Sequence, residues 1–163
     1  MHGPVPAWRR AIQGIPAVRH GQWAVGGSAS LALHRLRIDP RDVDVLADQV
    51  AVAELVDGLQ GTIMTDQAPW DRVDVRAARP VLAVVEGVEL EILVGVEAVG
   101  ADGLVVMTTP SLDRVERVVL NGRPIPVLPL STMRAVLETT GRRERAAMVR
   151  DAMAQNLPQP PNG

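Results

Sequence analysis

Residues Trp23 to Leu46, WAVGGSASLALHRLRIDPRDVDVL, hold the chain's densest set of groups able to handle phosphate and a metal ion. A hydrophobic run leads into Gly26-Gly27-Ser28, and thirteen residues then separate Ser28 from Asp42-Val43-Asp44. Glycines let a backbone approach phosphate oxygens closely. A helix beginning at Ser28 would direct N–H groups and its positive dipole end toward them. Asp42 and Asp44 offer the hard oxygen ligands that Mg²⁺ takes. On a strand they share one face, roughly 6.6 Å apart along the chain, with Val43 and Val45 on the other. Two carboxylates so spaced can converge on one or two divalent cations and serve an in-line displacement at phosphorus.

Such a site generally needs a third carboxylate from a neighbouring strand. Glu89 and Glu91 share one face of Val88–Val94, and Asp74 sits in a local Val-Asp-Val. Glu91 is preferred, because Ile92-Leu93 follows it as Val45-Leu46 follows Asp44. Acids facing one side of an apolar strand are costly to bury without a cation. Asp74 is flanked by Arg72 and Arg76, which can neutralise it as an ordinary surface pair.

The elements that must position these groups follow from hydrophobic spacing. Helices are predicted at 6–13, 29–36, 50–59, 130–139 and 142–155, with glycine or proline closing several of them. Strands are predicted at 22–25, 42–46, 62–65, 72–77, 81–86, 88–94 and 123–128, with short edge strands at 105–108 and 115–120. Glu86-Gly87 and Asn121-Gly122 are the hairpin links. An early β-α-β unit, a run of strands and C-terminal helices make an α+β (mixed α/β) domain, a mixed β-sheet flanked by helices. A single domain is expected over 1–156, with 157–163 a disordered tail.

Composition narrows the function classes. A chain of 163 residues, 47% apolar and 22% charged, has the makeup of an ordinary globular domain. No apolar run approaches the ~20 residues of a membrane span, and 1–11 has no apolar core of a signal peptide. Without cysteine there is no disulfide framework or thiolate site, which fits a cytoplasmic address. All seventeen basic residues are Arg, and Lys, Phe and Tyr are absent, a pattern read as coding bias. A phosphate clamp must therefore use Arg or backbone amides. A net charge of −2 argues against a non-specific nucleic-acid binder.

With the glycine turn and Asp42-Val43-Asp44 in place, the stretch resembles the signature of the nucleotidyltransferase-fold superfamily. More narrowly, VRHGQWAVGGSASLALHRLRIDPRDVDVL is similar to the opening of the minimal and AbiEii-like nucleotidyltransferases. Their pattern joins a glycine pair, a short helix ending in His, an Arg-containing turn and the Asp-x-Asp strand; His34, Arg37 and Arg41 fall at similar places. GVELEILVGV resembles the strand with the third metal ligand, Glu91 standing where Asp is commoner. VLPLSTMRAVLETTGRRERAAM resembles the family's C-terminal helical region, with Leu137 and Glu138 where relatives often carry Lys, and Arg145 where Asp is usual.

The resemblance implies transfer of a nucleoside monophosphate from an NTP to an acceptor, with pyrophosphate released. Gly26, Gly27, Ser28, Arg37 and Arg41 would contact the nucleotide. Asp42, Asp44 and Glu91 would be the catalytic carboxylates and hold Mg²⁺ (or Mn²⁺). The acceptor class stays open between tRNA, protein and small molecule. A cognate antitoxin or toxin partner, and a homodimer, are compatible with it.

Plainer readings stand beside these. Ser28 can simply cap a helix, and Asp42 and Asp44 can line a solvent face. Arg37 and Arg41 can pair with Asp39 or Asp42. His34 reads as a helix-end residue bonded locally, Arg142, Arg143 and Arg145 as a solvated helix face, and Trp23 and Trp70 as packing. The competing function is a catalytically silent module acting through protein contacts.

Overall fold

Acids alternate with buried apolar residues along Asp42–Ala47 and Val88–Leu93, and that alternation decides which way the central sheet faces. Val43, Val45, Leu90 and Ile92 are fully buried on one side, so residues 42, 44, 89 and 91 point to the other. The computed structural model describes residues 4–64, 70–71, 75–77, 80–100, 102–103, 105–108 and 112–155. Asp74, Arg72 and the 157–163 segment lie outside the described residues, as does the Trp70 side chain.

The elements run α1 (Ala7–Gln13), β1 (Trp23–Val25), α2 (Gly27–Leu33), β2 (Asp42–Ala47), α3 (Ala51–Gly58) and β3 (Thr62–Met64). There follow β4 (Trp70–Asp71), β5 (Val75–Ala77), β6 (Val81–Val85), β7 (Val88–Leu93), β8 (Val96–Val99) and β9 (Val105–Thr108). After a 3₁₀ turn at Leu112–Arg114 come β10 (Glu116–Leu120), β11 (Arg123–Val127), α4 (Leu130–Thr139) and α5 (Arg143–Gln155). A seven-stranded mixed sheet has the order β10-β11-β1-β2-β7-β6-β3, and a four-stranded sheet the order β4-β5-β8-β9. The α+β expectation is met. β1 and β2 are antiparallel although α2 joins them; the parallel pairs are β2 with β7 and β1 with β11.

Each face of the large sheet has its own core. On the Val43 side, Trp8, Ala11 and Ile12 of α1 and Ala51 and Leu55 of α3 pack with Val25, Val85, Ile125 and Val127. On the opposite side, Met133 and Leu137 of α4 and Ala146 and Val149 of α5 pack on Ala24, Leu46 and Leu128. The C-terminal helices thus cover the part of this face where β2 turns apolar at Leu46, beyond Asp42 and Asp44. Helix α2 reaches both cores, through Ala29, Ala32 and Leu33 to the first and Leu31 to the second.

Two local outcomes differ from the sequence expectation. Helix α2 covers 27–33, not 29–36, because Arg35 takes a left-handed φ of 68°. The Arg35 N–H donates to the Ala32 carbonyl and the Leu36 N–H to the Leu31 carbonyl, the paired bonds of a Schellman ending. Helix α4 ends the same way around Gly141, where the glycine avoids the Cβ penalty Arg35 carries. A strand is expected at 88–94 and none at 95–99; Gly95, at φ 65°, turns the chain out of β7 and into a further strand, β8, of the second sheet. Both hairpin links have positive φ at each central residue, Glu86-Gly87 and Asn121-Gly122, as a type I′ turn requires.

Strand β11 carries Pro124 and Pro126 although it lies inside the sheet. They stand opposite Val119 and Arg117 of β10. In a hairpin closed by the Asn121-Gly122 turn these are non-hydrogen-bonded pairs, so neither missing N–H weakens the β10 ladder. The gap falls on the β1 side, where pairing is confined to Val25 and Val127. Beyond it, Arg123 takes over. Its Nη1 donates to the Gln13 and Ile15 carbonyls at 3.2 and 2.5 Å, and its Nη2 to the Pro16 carbonyl at 3.0 Å.

The same 15–22 connection is pinned at two further points. Asp48 accepts the Gln22 N–H at 2.8 Å, and Glu54 accepts the Arg19 N–H at 2.7 Å with His20 Nδ1 2.5 Å away. The Arg19 N–H first, and the His20 ring second, hold the Glu54 carboxyl below its ordinary value of 4.5. A depressed folded-state pKa adds stability that is present above the unfolded value and lost as pH falls through the folded one. Glu54→Gln should therefore melt below wild type at neutral pH, and the gap should close as the pH falls below 4.5. Thermal melts at neutral pH and at about pH 3 measure this. Arg123→Ala should cost about 2 kcal/mol in urea unfolding, because three carbonyls lose a charged donor. Arg123→Lys, one ammonium for a forked guanidinium, should recover less than half of that.

Candidate functional site

The glycine turn lies between β1 and α2, against the middle of β2. The Gly26 N–H donates to the Asp44 carbonyl at 2.9 Å, and the Gly26 carbonyl accepts the Ser30 N–H at 3.0 Å. Gly26 is the extended N-cap of α2, which has no side-chain cap. Ser28 is therefore not the capping residue that a plain reading makes it. It is the second residue of the helix, after Gly27.

Gly27 is required twice over. Its φ is +55°, and a Cβ built there would fall on Asp44 Oδ2. The Asp44 carboxylate thus occupies the space that any other side chain at 27 would take. Removing the Cβ is what lets the turn and β2 approach so closely.

Strand pairing supplies the rest. β2 and β7 run parallel, with Asp44 opposite Glu91 and Asp42 opposite Glu89. Opposed residues in a ladder share a face, so all four carboxylates stand on the side away from Val43 and Val45. Burial separates them. Glu91 is 9% exposed, Asp42 and Asp44 are half-buried, and Glu89 is exposed. A carboxylate as covered as Glu91 is costly unless something offsets its charge. Among the described residues no three His, Cys, Asp or Glu side chains are gathered into a metal-holding group. What the strands bring together is the pair Asp44 and Glu91, with Asp42 one step along the same face. That donor set is carboxylate oxygen throughout, which suits a hard cation such as Mg²⁺ and not a soft one.

Arg37 and Arg41, on the segment between α2 and β2, are exposed. Neither forms an ion pair with Asp39 or Asp42 among the described residues. Arg142, Arg143 and Arg145 are exposed at the start of α5, and Trp23 is buried in the core. His34 closes α2, but its bond is not local. Its Nε2 lies 2.9 Å from the Leu128 carbonyl, 94 residues away. Sequence reading assigned nothing to Ser30, which is fully buried and donates to the same carbonyl at 3.2 Å. The available signal was its i,i+4 spacing from His34, which places both on one side of a helix.

No family model matches the chain, and no curated protein does. Among solved structures it is similar to "a putative nucleotidyltransferase" from Thermotoga maritima, with a TM-score of 0.64, 20% identity and 85% of each chain covered. The fold is nucleotidyltransferase-like. In this nucleotidyltransferase-like fold the described residues include no helix long and apolar enough to cross a membrane.

Gly27→Ala should be markedly worse than Gly87→Ala. Both positions have positive φ, but a Cβ at 87 meets nothing within 4 Å. Each should carry the left-handed penalty of about 1–2 kcal/mol. Only Gly27→Ala must also displace Asp44, and the excess in urea unfolding reads that displacement. Equal losses would mean that Asp44 yields freely.

Proposed function

We propose that this protein is a metal-dependent nucleotidyltransferase, moving a nucleoside monophosphate from an NTP to an acceptor. The observation that carries the reading is the parallel register of β2 and β7, which sets Asp44 beside Glu91 while Gly27 holds its backbone against Asp44. The fold likeness to the Thermotoga maritima protein and the sequence resemblance support it.

Under this reading the turn at Gly26, Gly27 and Ser28 binds the triphosphate through its backbone, and Arg37 and Arg41 reach the nucleotide from the adjoining segment. Asp42, Asp44 and Glu91 hold Mg²⁺ (or Mn²⁺), which when bound neutralises phosphate charge and polarises the reacting phosphoryl group. The acceptor's nucleophilic oxygen or nitrogen forms a bond to the α-phosphorus. The bond from that phosphorus to the β-phosphate's bridging oxygen breaks, and pyrophosphate leaves with the electron pair. Glu91, the most covered of the acids, takes the proton that the acceptor gives up. The finer assignment, an AbiEii-like enzyme of a toxin–antitoxin pair acting on tRNA, a protein or a small molecule, rests on the sequence resemblance alone.

Millimolar Mg²⁺ with an NTP should raise the melting temperature of the wild type by several degrees, since a ligand at about 100 times its Kd adds about 2.7 kcal/mol. Asp44→Asn should abolish that rise. Differential scanning fluorimetry with each of the four NTPs tests both. No NTP-dependent stabilisation of the wild type would sink the proposal.

A further inference from the structure

Leu128 stands at a junction between the glycine turn and the C-terminal helices. Strand β11 ends at Val127, and Pro129 is the N-cap of α4. A residue before proline is held extended, so the Leu128 backbone cannot join the helix. Its N–H donates to the Val25 carbonyl at 3.0 Å, one residue before the turn begins. Its carbonyl accepts from Ser30 Oγ at 3.2 Å and lies 2.9 Å from His34 Nε2. A carbonyl has two lone pairs and only accepts, so the His34 ring carries its proton on Nε2. Both donors sit on α2, one turn apart.

The cost of this arrangement suggests it is not incidental. Ser30 and Glu91 are the buried polar residues among those described, and Ser30 is fully covered. A buried hydroxyl is tolerated only where it is bonded. The His34 side chain is itself 9% exposed. An apolar side chain at either place would pack without needing a partner. Instead α2 is tied by two side-chain bonds to one oxygen on the far side of β1.

We infer that His34 is a positioning residue: with Ser30 it locks α2 to the Leu128 carbonyl and so keeps Gly26 and Gly27 seated against Asp44. The inference rests on the proposed function for its consequence, since the turn it holds is the one assigned to the triphosphate. The lock itself is independent of that assignment. It also ties the glycine turn to α4, because Leu128 precedes the Pro129 cap directly. A shift of α4 therefore pulls on the carbonyl that α2 hangs from.

The test uses the full chain with His34→Leu, which keeps apolar bulk and loses the donor, and His34→Gln, whose amide N–H can reach the same oxygen. Ser30→Ala removes the other donor. The first readout is amide hydrogen exchange by NMR without nucleotide, at Gly26 and Ser30, whose N–H groups are bonded in the turn. Leu90 and Ile92, deep in the sheet, report global stability. His34→Leu should speed exchange at Gly26 and Ser30 about ten-fold, the factor one net hydrogen bond carries, without a matching change at Leu90 and Ile92. His34→Gln should restore slow exchange, and Ser30→Ala should act like His34→Leu but more weakly. The second readout is Mg–NTP affinity, which should fall with His34→Leu by a similar factor and recover with His34→Gln. Wild-type exchange in His34→Leu, or no rescue by His34→Gln, overturns the inference in favour of simple packing. If the wild type binds no NTP, the proposed function fails and the exchange data still decide the lock.

Discussion

The parallel pairing of β2 with β7 is the constraint on which the rest of the molecule depends. Because Val43 and Val45 must be buried with Leu90 and Ile92, the acids of both strands are driven to the same opposite face. The register then places Asp44 across from Glu91 and Asp42 across from Glu89. A slip of one residue would move every one of these side chains to the other face. The apolar core therefore determines which face the carboxylates occupy.

The second requirement is that something approach those acids closely, and here the chain uses the absence of a side chain. Gly27 lies where a Cβ would collide with Asp44, and Gly26 bonds the Asp44 backbone. The turn is thus attached to β2 below, while Ser30 and His34 attach the following helix to Leu128 above. Seven residues of helix are too few to hold themselves in water. The stability of α2 comes from these side-chain bonds and from its share in both cores.

Much of this was legible in residue patterns. Period-two alternation marked β2 and β7 and chose their buried faces, and the glycine turn and the Asp-x-Asp strand stood out by type and spacing. Other features depended on distant partners. Apolar periodicity continues to Leu36, but the left-handed Arg35 shortens α2, and Leu36 packs against the core that Met133, Leu137, Ala146 and Val149 of the C-terminal helices share. The predicted strand stopped at Val94, before Gly95, but nothing local announced that 96–99 would pair in a second sheet. His34 looked like a local helix-end residue, because a bond spanning 94 positions leaves no trace in the residues around it.

The sequence by itself determined which residues could carry phosphate and metal chemistry and which face of each strand they would occupy, since both follow from residue type and a two-residue period. The sequence preferred Glu91 to Glu89 from the apolar pair after it; the tertiary structure added that Glu91 stands opposite Asp44 and is covered, while Glu89 is exposed. Both glutamates have the right parity, and their difference lies in how far along β7 each stands. Only the tertiary structure decided that the glycine turn meets Asp44 and that Leu128 holds the helix behind it. Strand neighbours and close approaches join residues far apart in the chain, and spacing along one segment has no term for them.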